Sequence, residues 1–197
     1  MSGRSAPGAQ VRVWDLFVRM FHWATVVLFT TAFLSSDAKW LHEPVGYVVL
    51  ALAAARIAWG FVGTRYARFT SFVTSPAHVV QYLRQLRQGR APRHLGHNPA
   101  GGAMIVVLLV MLVLVGGSGW MSETDRWFGV RWVSALHSIT ANLLVLLVIA
   151  HVLGVVVSSV LHRENLVRAM ITGRKPAVPA PAAASGGSVP EAREDAR

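Results

Sequence analysis

Four long apolar runs alternate with polar segments along the chain, and this pattern dominates the sequence. The runs cover approximately residues 20–35, 42–62, 102–120 and 133–161. A helix needs about 20 apolar residues to cross the hydrocarbon core of a bilayer, and a helix satisfies its own backbone polar groups inside lipid. The pattern therefore predicts an all-α integral membrane protein with four transmembrane helices in one bundle.

The fourth apolar run carries two histidines in a stretch without charged residues. His137 and His151 are 14 residues apart, which is close to four helical turns, so both side chains leave the same face of the helix. They lie roughly 21 Å apart along the axis, one toward each membrane surface. Ionisable residues at this depth mark functional sites, and neutral imidazole is an axial ligand of haem iron. The spacing suits two haems stacked across the membrane, with hydrogen bonds to neighbouring helices as the alternative role.

Further polar residues lie in or beside the other apolar runs. His22 lies near the start of the first run, either as a ligand or in an interfacial aromatic belt, and His42 lies in the first turn of the second. Arg56 follows His42 by 14 residues, and its expected partner is a haem propionate, or lipid headgroups if it snorkels. His97 precedes the third run and is a candidate contact for a propionate or a quinone headgroup, or a capping residue.

The polar segments divide the chain. Residues 1–19 form a polar lead, and residues 20–161 hold the four helices. The segment 64–100 joins the second and third helices and contains a Ser-Pro pair followed by an apolar stripe with arginines, which predicts a short amphipathic helix on the membrane surface. Residues 162–175 are basic, and residues 176–197 are rich in Pro, Ala, Gly and Ser, which predicts a disordered tail.

Composition supports the membrane interpretation. Of 197 residues, 53% are hydrophobic and 14% are charged, and the mean hydropathy is +0.46, which is too apolar for an ordinary soluble domain. The chain has no cysteine, which excludes disulfides, iron–sulfur ligation and covalent haem attachment. Any haem is therefore held non-covalently.

The net charge of +10 is unevenly distributed. Most of the 19 Lys and Arg residues lie in the lead, in segment 64–100 and after the fourth run, whereas Lys39, Arg126 and Arg131 lie on the other side. The positive-inside rule predicts that both termini are cytoplasmic and that the protein crosses the bacterial inner membrane several times. Because this asymmetry explains the charge, the lipid bilayer is the expected partner and nucleic acid is not.

With this orientation, four histidines fall at two matching depths. His22 and His151 lie toward the cytoplasmic surface, and His42 and His137 lie toward the periplasmic surface. The fourth helix would supply one iron ligand to each of two haem b groups, and the first and second helices would supply the other ligands.

Glycines follow two of these histidines at helical spacing. Gly46 lies four residues after His42, and Gly154 lies three residues after His151. Small residues let a porphyrin press against a helix, and they serve plain helix packing as well.

Several short motifs together are typical of one family. They are Trp14-Asp15 with Phe21-His22-Trp23, His42-Glu43 with Gly46, Gly60-Phe61-Val62-Gly63 with Tyr66-Ala67-Arg68-Phe69, Gly96-His97-Asn98-Pro99-Ala100-Gly101, and His151 with His162-Arg163-Glu164-Asn165-Leu166. With these motifs, approximately residues 13–175 resemble the bacterial cytochrome b-561 family, closest to the branch that includes the b-type cytochrome subunit of nickel–iron hydrogenases. The resemblance implies a four-helix bundle with two b haems between the quinone pool and a periplasmic redox partner, such as a c-type cytochrome or a dehydrogenase or hydrogenase subunit. It places the haem ligands on His22, His42, His137 and His151.

The expected function is transmembrane electron transfer, by an electron carrier rather than a stand-alone catalyst, in the manner of a subunit of a quinone-linked oxidoreductase. Bis-histidine ligation leaves no open iron position, which suits this role. Three alternatives stay open: a non-redox membrane anchor of a larger complex, a metal or proton transporter that uses intramembrane histidines, and a protein that oxidises a small periplasmic reductant directly.

Overall fold

The computed structural model describes residues 10–177. The elements of this range are β1 (Gln10–Arg12), α1 (Leu16–Leu34), α2 (Lys39–Val62), a 3-10 helix (Phe69–Ser71), α3 (Pro76–Arg87), α4 (Pro99–Ser122), α5 (Arg131–His162), α6 (Leu166–Thr172) and β2 (Arg174–Pro176). Residues 1–9 of the expected lead and residues 178–197 of the expected tail lie outside the described residues.

Four of the helices, α1, α2, α4 and α5, are long and apolar enough to cross a membrane. They pack in the order α1–α2–α4–α5, and within residues 10–177 neither α1 nor α2 packs closely against α5. The buried core lies where α2, α4 and α5 meet and consists of Val49, Ala53, Met111, Leu112 and Leu144. The prediction of an all-α membrane bundle is confirmed.

The outward surface of the bundle is strongly apolar. Leu143, Leu146 and Val157 of α5 are each exposed by more than a third of their surface, as are Val26 and Val27 of α1. Such a surface is costly in water, whereas lipid tails solvate it at no cost. These helices therefore present their apolar faces to lipid.

The spanning helices begin close to the predicted positions, and α1 and α4 begin at capping residues, whereas α2 and α5 have no side-chain cap. α1 starts at Leu16, four residues before the expected start, because the Oδ1 atom of Asp15 accepts a hydrogen bond from the Val18 amide at 2.8 Å. Asn98 caps α4 in the same way through Gly101 at 2.7 Å. The segment between α2 and α4 forms α3, capped by Ser75.

The two described chain ends meet at one end of the bundle. β1 and β2 pair antiparallel with Val11 opposite Lys175, and Gly173 turns the chain into β2 with φ of +78°. We call this the terminal end; it comprises residues 10–15, 63–98 and 163–177. The opposite end consists of the short loops 35–38 and 123–130. The strand pair was absent from the sequence prediction, and it includes Pro176, the first residue of the expected tail.

Candidate functional site

The four histidines of the spans occupy the two ends of the bundle. His42 on α2 and His137 on α5 lie at the opposite end, and we call them the opposite pair. His22 on α1 and His151 on α5 lie at the terminal end, and we call them the terminal pair. All four are half-buried, so each imidazole keeps some accessible surface.

The opposite pair has rings at the separation that a shared metal would require. The ring centroids of His42 and His137 lie 5.9 Å apart, and the ring planes are inclined by 82°. Metal–imidazole bonds are about 2.0–2.1 Å long, so two imidazoles on opposite sides of one metal ion place their centroids roughly 6 Å apart. The two rings therefore have the spacing of an axial ligand pair.

Backbone carbonyl groups fix the orientation of both rings in the opposite pair. The Nδ1 atom of His42 donates to the Ala32 carbonyl at 2.8 Å, and that of His137 donates to the Val115 carbonyl at 2.9 Å. A carbonyl only accepts, so Nδ1 carries the proton and Nε2 of the neutral ring is free to bind a metal. Ligating histidines in metalloproteins are held in this manner.

The terminal pair has a different environment. His22 and His151 are close enough for their charges to interact. The Nδ1 atom of His22 is buried and has no hydrogen-bond partner among the described residues. His22 and His151 therefore lie at the same end of the bundle on α1 and α5, and no carbonyl group among the described residues holds the Nδ1 atom of His22 as one holds each ring of the opposite pair.

His97 lies between aromatic rings at the terminal end. Its ring centroid is 4.4 Å from that of Trp14 and 4.8 Å from that of Phe72. Its Nδ1 atom is buried without a hydrogen-bond partner, although part of the residue reaches the surface. Burial lowers the pKa of His97 to about 3, with smaller contributions from the positive charges of Arg56, Lys175 and His151. His97 is therefore neutral at physiological pH.

Arg56 is a buried cation near the terminal end of α2. It is 2% exposed, its Nη2 atom donates to the Ala67 carbonyl at 3.1 Å, and its guanidinium lies 5.6 Å from the Phe69 ring centroid. Its Nη1 atom has no partner among the described residues. A buried guanidinium with a free donor calls for an anion.

Asp15 is the acid whose charge acts on Arg56, but its oxygens serve other donors. Its Oδ2 atom accepts from Thr64 at 2.6 Å and from Trp59 at 3.1 Å. Burial raises the pKa of Asp15, but these bonds, the bond from the Val18 amide and the Arg56 charge outweigh burial and lower the pKa below its usual value. Asp15 is therefore ionised, and its hydrogen bonds connect the start of α1 to Trp59 and Thr64 at the end of α2.

Two glycines leave open space beside candidate ligands. A Cβ atom at Gly46 or Gly154 would meet no atom within 4 Å. At Gly102, by contrast, a Cβ atom would lie 2.6 Å from the Phe72 carbonyl oxygen, so that glycine serves chain packing. Gly46 and Gly154 therefore leave open space near His42 and His151, and Gly154 is exposed on the surface of α5.

Several residues of these sites were not singled out from the sequence. Phe72 packs its ring against His97, and Ser118 has its Oγ atom 3.5 Å from Nδ1 of His137. Lys175, from the segment expected to be basic, donates to the His94 carbonyl at 3.4 Å. The Asn98 cap in the motif around His97 is the one local signal that could have placed this ring near α4. The other contacts join residues far apart in the chain.

The donor set fits haem. In residues 10–177 no group of three or more His, Cys, Asp and Glu side chains is arranged to hold a metal ion, and a porphyrin, which brings four nitrogen ligands of its own, needs only two axial imidazoles. The free donors of Arg56 and His97 suit the carboxylates that haem carries. The opposite pair therefore offers the two imidazoles that such a group needs.

Comparisons with known proteins agree with this chemistry. The family model for prokaryotic cytochrome b561 matches residues 13–173. The chain is 27% identical to a protein of Bradyrhizobium diazoefficiens named probable Ni/Fe-hydrogenase B-type cytochrome subunit, over 88% of this chain and 90% of the relative. Proteins of the same name from Azotobacter vinelandii and Rhodobacter capsulatus are 25% and 23% identical, over 83% and 84% of this chain and 87% and 81% of the relatives. No solved structure matches the chain.

These matches confirm the resemblance drawn from the sequence motifs. Four apolar helices of spanning length, together with the family match, make this a multi-pass bacterial membrane protein, and a b-type cytochrome carries haem b for membrane electron transfer. The chain belongs to the prokaryotic cytochrome b561 family.

Proposed function

We propose that the chain binds two haem b groups, one between His42 and His137 and one between His22 and His151, and transfers electrons across the membrane. The observation that carries the proposal is the opposite pair, whose rings lie 5.9 Å apart with both Nδ1 atoms bonded to carbonyl groups. Each pair of histidines would hold one haem, and each bound haem would supply a one-electron carrier.

The residues around the ligands have separate tasks in this mechanism. The carbonyls of Ala32 and Val115 hold the imidazoles of His42 and His137 in one tautomer and one orientation, so that the two rings would be preorganised to hold a haem. Arg56 offers its free Nη1 donor to a propionate at the terminal end. His97 offers a neutral ring beside it, for the same propionate or for a quinone headgroup.

The proposed physiological role is electron exchange between the quinone pool and a periplasmic partner. The positive-inside rule assigns the basic terminal end to the cytoplasm of a bacterium and the chain to its inner membrane. The opposite pair then lies near the periplasmic surface. The names of the relatives favour a hydrogenase as the partner, and a c-type cytochrome or another dehydrogenase subunit is the second choice.

The test is the reduced-minus-oxidised absorption spectrum of the purified protein with haem quantified per chain. We expect two b haems per chain and bis-histidine signatures in low-temperature electron paramagnetic resonance. His137→Ala should lose one haem and leave the other. His78→Ala is the matched control, because His78 is exposed on α3 and both haems should remain.

Other outcomes identify the alternatives. One haem in the unchanged protein would contradict one of the two pairs. A colourless protein from haem-replete cells would overturn the proposal and favour a non-redox anchor or a transporter that uses the same histidines. Two haems that are reduced directly by small donors, without a protein partner, would leave the haem sites in place and remove the partner from the proposed role.

A further inference from the structure

The helix α3 carries exposed apolar and basic side chains together on one side. We infer that this side binds the headgroups of anionic phospholipids in the surrounding membrane. Four residues form it, and we call them the outer face: Val80, Leu83, Arg84 and Arg87. The outer face is separate from the histidine pairs, so the inference does not require a bound haem.

The other side of α3 attaches the helix to the bundle. Tyr82 is 3% exposed, its ring centroid lies 5.6 Å from that of His94, and α3 packs against α4. The members of the outer face are three, four or seven residues apart, so they share one side of the helix. At 3.6 residues per turn, Tyr82 lies nearly opposite Val80. The outer face therefore points away from the bundle.

The composition of the outer face suits the boundary between lipid headgroups and acyl chains. Val80 and Leu83 are 47% and 46% exposed, and Arg84 and Arg87 are exposed beside them. Water solvates the two arginines but not the apolar side chains, and hydrocarbon does the reverse. At the boundary, apolar residues enter the acyl region while the long arginine side chains reach the headgroups.

The contacts of the segment before α3 place the helix near this boundary. The Phe72 carbonyl oxygen lies so close to Gly102 that a Cβ atom there would be 2.6 Å away. Gly102 is in the first turn of α4, where the apolar run of that spanning helix begins. Val73, next to Phe72, is 51% exposed. The segment that leads into α3 therefore lies at the level at which α4 leaves the lipid.

The positive charge of the outer face is not compensated by the part of the chain that the structure describes. Segment 63–98 holds six arginines and no Asp or Glu, and of these arginines Arg93 is paired with Glu164. The acids of the terminal end are Glu164, which is held by this pair and by a lysine, and Asp15, which accepts from other donors. Neither arginine of the outer face forms an ion pair there.

The chemistry of the two arginines selects the class of lipid. A guanidinium binds phosphate with two parallel hydrogen bonds. A zwitterionic phospholipid also offers a phosphate, but its ammonium group cancels the negative charge. An anionic phospholipid keeps its net charge, and each arginine near the membrane surface adds to the attraction. The outer face therefore fits an anionic phospholipid better than a zwitterionic one.

The first test is native mass spectrometry of the full chain in detergent, with phosphatidylglycerol or phosphatidylcholine added. We expect tighter binding of phosphatidylglycerol. Arg84→Gln combined with Arg87→Gln should weaken that binding about tenfold and leave phosphatidylcholine binding unchanged. Arg126→Gln combined with Arg131→Gln is the matched control, because it removes the same charge from exposed arginines at the opposite end. This control should keep most of the phosphatidylglycerol binding.

The second test keeps both arginines and reports the position of the outer face directly. The chain has no cysteine, so Leu83→Cys provides a unique site for a polarity-sensitive fluorophore. In nanodiscs that contain phosphatidylglycerol, we expect blue-shifted emission from this label. Gln81→Cys is the control, because Gln81 is exposed on another side of α3 and its label should emit as in water. This test decides the inference if the double arginine variant does not fold.

The outcomes that would overturn the inference are distinct from those of the haem proposal. Equal binding of the two lipids, or equal losses in the two double variants, would mean that the outer face does not select anionic lipid. Water-like emission at position 83 in the nanodiscs would leave this surface to a soluble acidic partner. The haem content of the protein bears on none of these results.

Discussion

Each end of the bundle carries two histidines of the spanning helices, and the two ends differ in the contacts that surround these histidines. At the opposite end the loops are short, the ion pair of Lys39 and Glu123 is exposed, and the rings of His42 and His137 are held by carbonyls of neighbouring helices. The terminal end instead carries a strand pair, a longer connection and a buried ionic cluster around Glu164.

That buried cluster ties three distant segments together. Glu164 contacts both Arg93 and Lys175, Arg93 also donates to the Pro176 carbonyl at 2.6 Å, and Lys175 donates to the His94 carbonyl at 3.4 Å. The loss of one partner from a buried ionic group leaves charge without compensation. The difference between the ends indicates that the terminal end depends on polar contacts between segments, whereas the opposite end depends on the helices themselves.

The strongest test of this difference is Glu164→Gln. Removal of the carboxylate leaves the half-buried Arg93 and the buried Lys175 unpaired, and we expect a loss of about 3–5 kcal/mol in unfolding free energy. Thermal unfolding of the detergent-solubilised protein, followed by near-ultraviolet circular dichroism, measures the change. Glu123→Gln at the opposite end is the control and should change stability little, because its pair is exposed to solvent. Equal losses for both variants would contradict the distinction between the ends.

Acid should destabilise the terminal end through His97. Burial, chiefly, lowers the pKa of His97 from 6.5 to about 3, so between these values the unfolded chain binds a proton that the folded chain does not. The contribution to unfolding free energy is therefore full above pH 6.5 and falls by about 1.4 kcal/mol for each pH unit below it, down to about pH 3.

The measurement for His97 is the melting temperature between pH 7 and pH 4. His97→Phe should flatten the profile, since an apolar ring fills the space between Trp14 and Phe72 without binding a proton. His78→Phe on the exposed face of α3 serves as the control and should keep the original slope. An unchanged slope in His97→Phe would mean that other groups set the acid sensitivity.

A smaller loss is expected when the turn into β2 is changed. Gly173→Ala places a Cβ atom at φ of +78° and 2.6 Å from the Trp14 carbonyl oxygen, which should cost roughly 2–3 kcal/mol. Gly89→Ala has a similar φ of +68° and open space, so it should cost about 1 kcal/mol. Chemical unfolding of both variants measures the difference, and equal losses would show that the contact with Trp14 is not tight.

The smallest effect is expected at the opposite end, for Ser118→Ala. The Ser118 hydroxyl donates to the Leu114 carbonyl at 2.6 Å and lies 3.5 Å from Nδ1 of His137, which is already bonded to Val115. We therefore expect the reduction equilibrium constant of the haem at the opposite pair to change about twofold or less. A tenfold change in the redox titration would show that the hydroxyl, and not the helix backbone, controls His137.

The sequence determined the helices and the depth of each histidine, because both depend on local periodicity. Runs of apolar residues of spanning length fixed α1, α2, α4 and α5, and the 14-residue spacing on α5 put His137 and His151 at opposite ends whatever surrounds them. The assignment of these residues as haem ligands remains a prediction.

Tertiary structure decided everything that joins distant segments. The carbonyl acceptors of His42 and His137 belong to Ala32 and Val115 on other helices, and no local pattern identifies them. The burial of Lys175, expected in a basic segment, follows from its pairing with Glu164 and from the β1–β2 register, which is a long-range contact between the chain ends. Periodicity reports which residues share a face of one element, and only packing decides which atoms of another element meet that face.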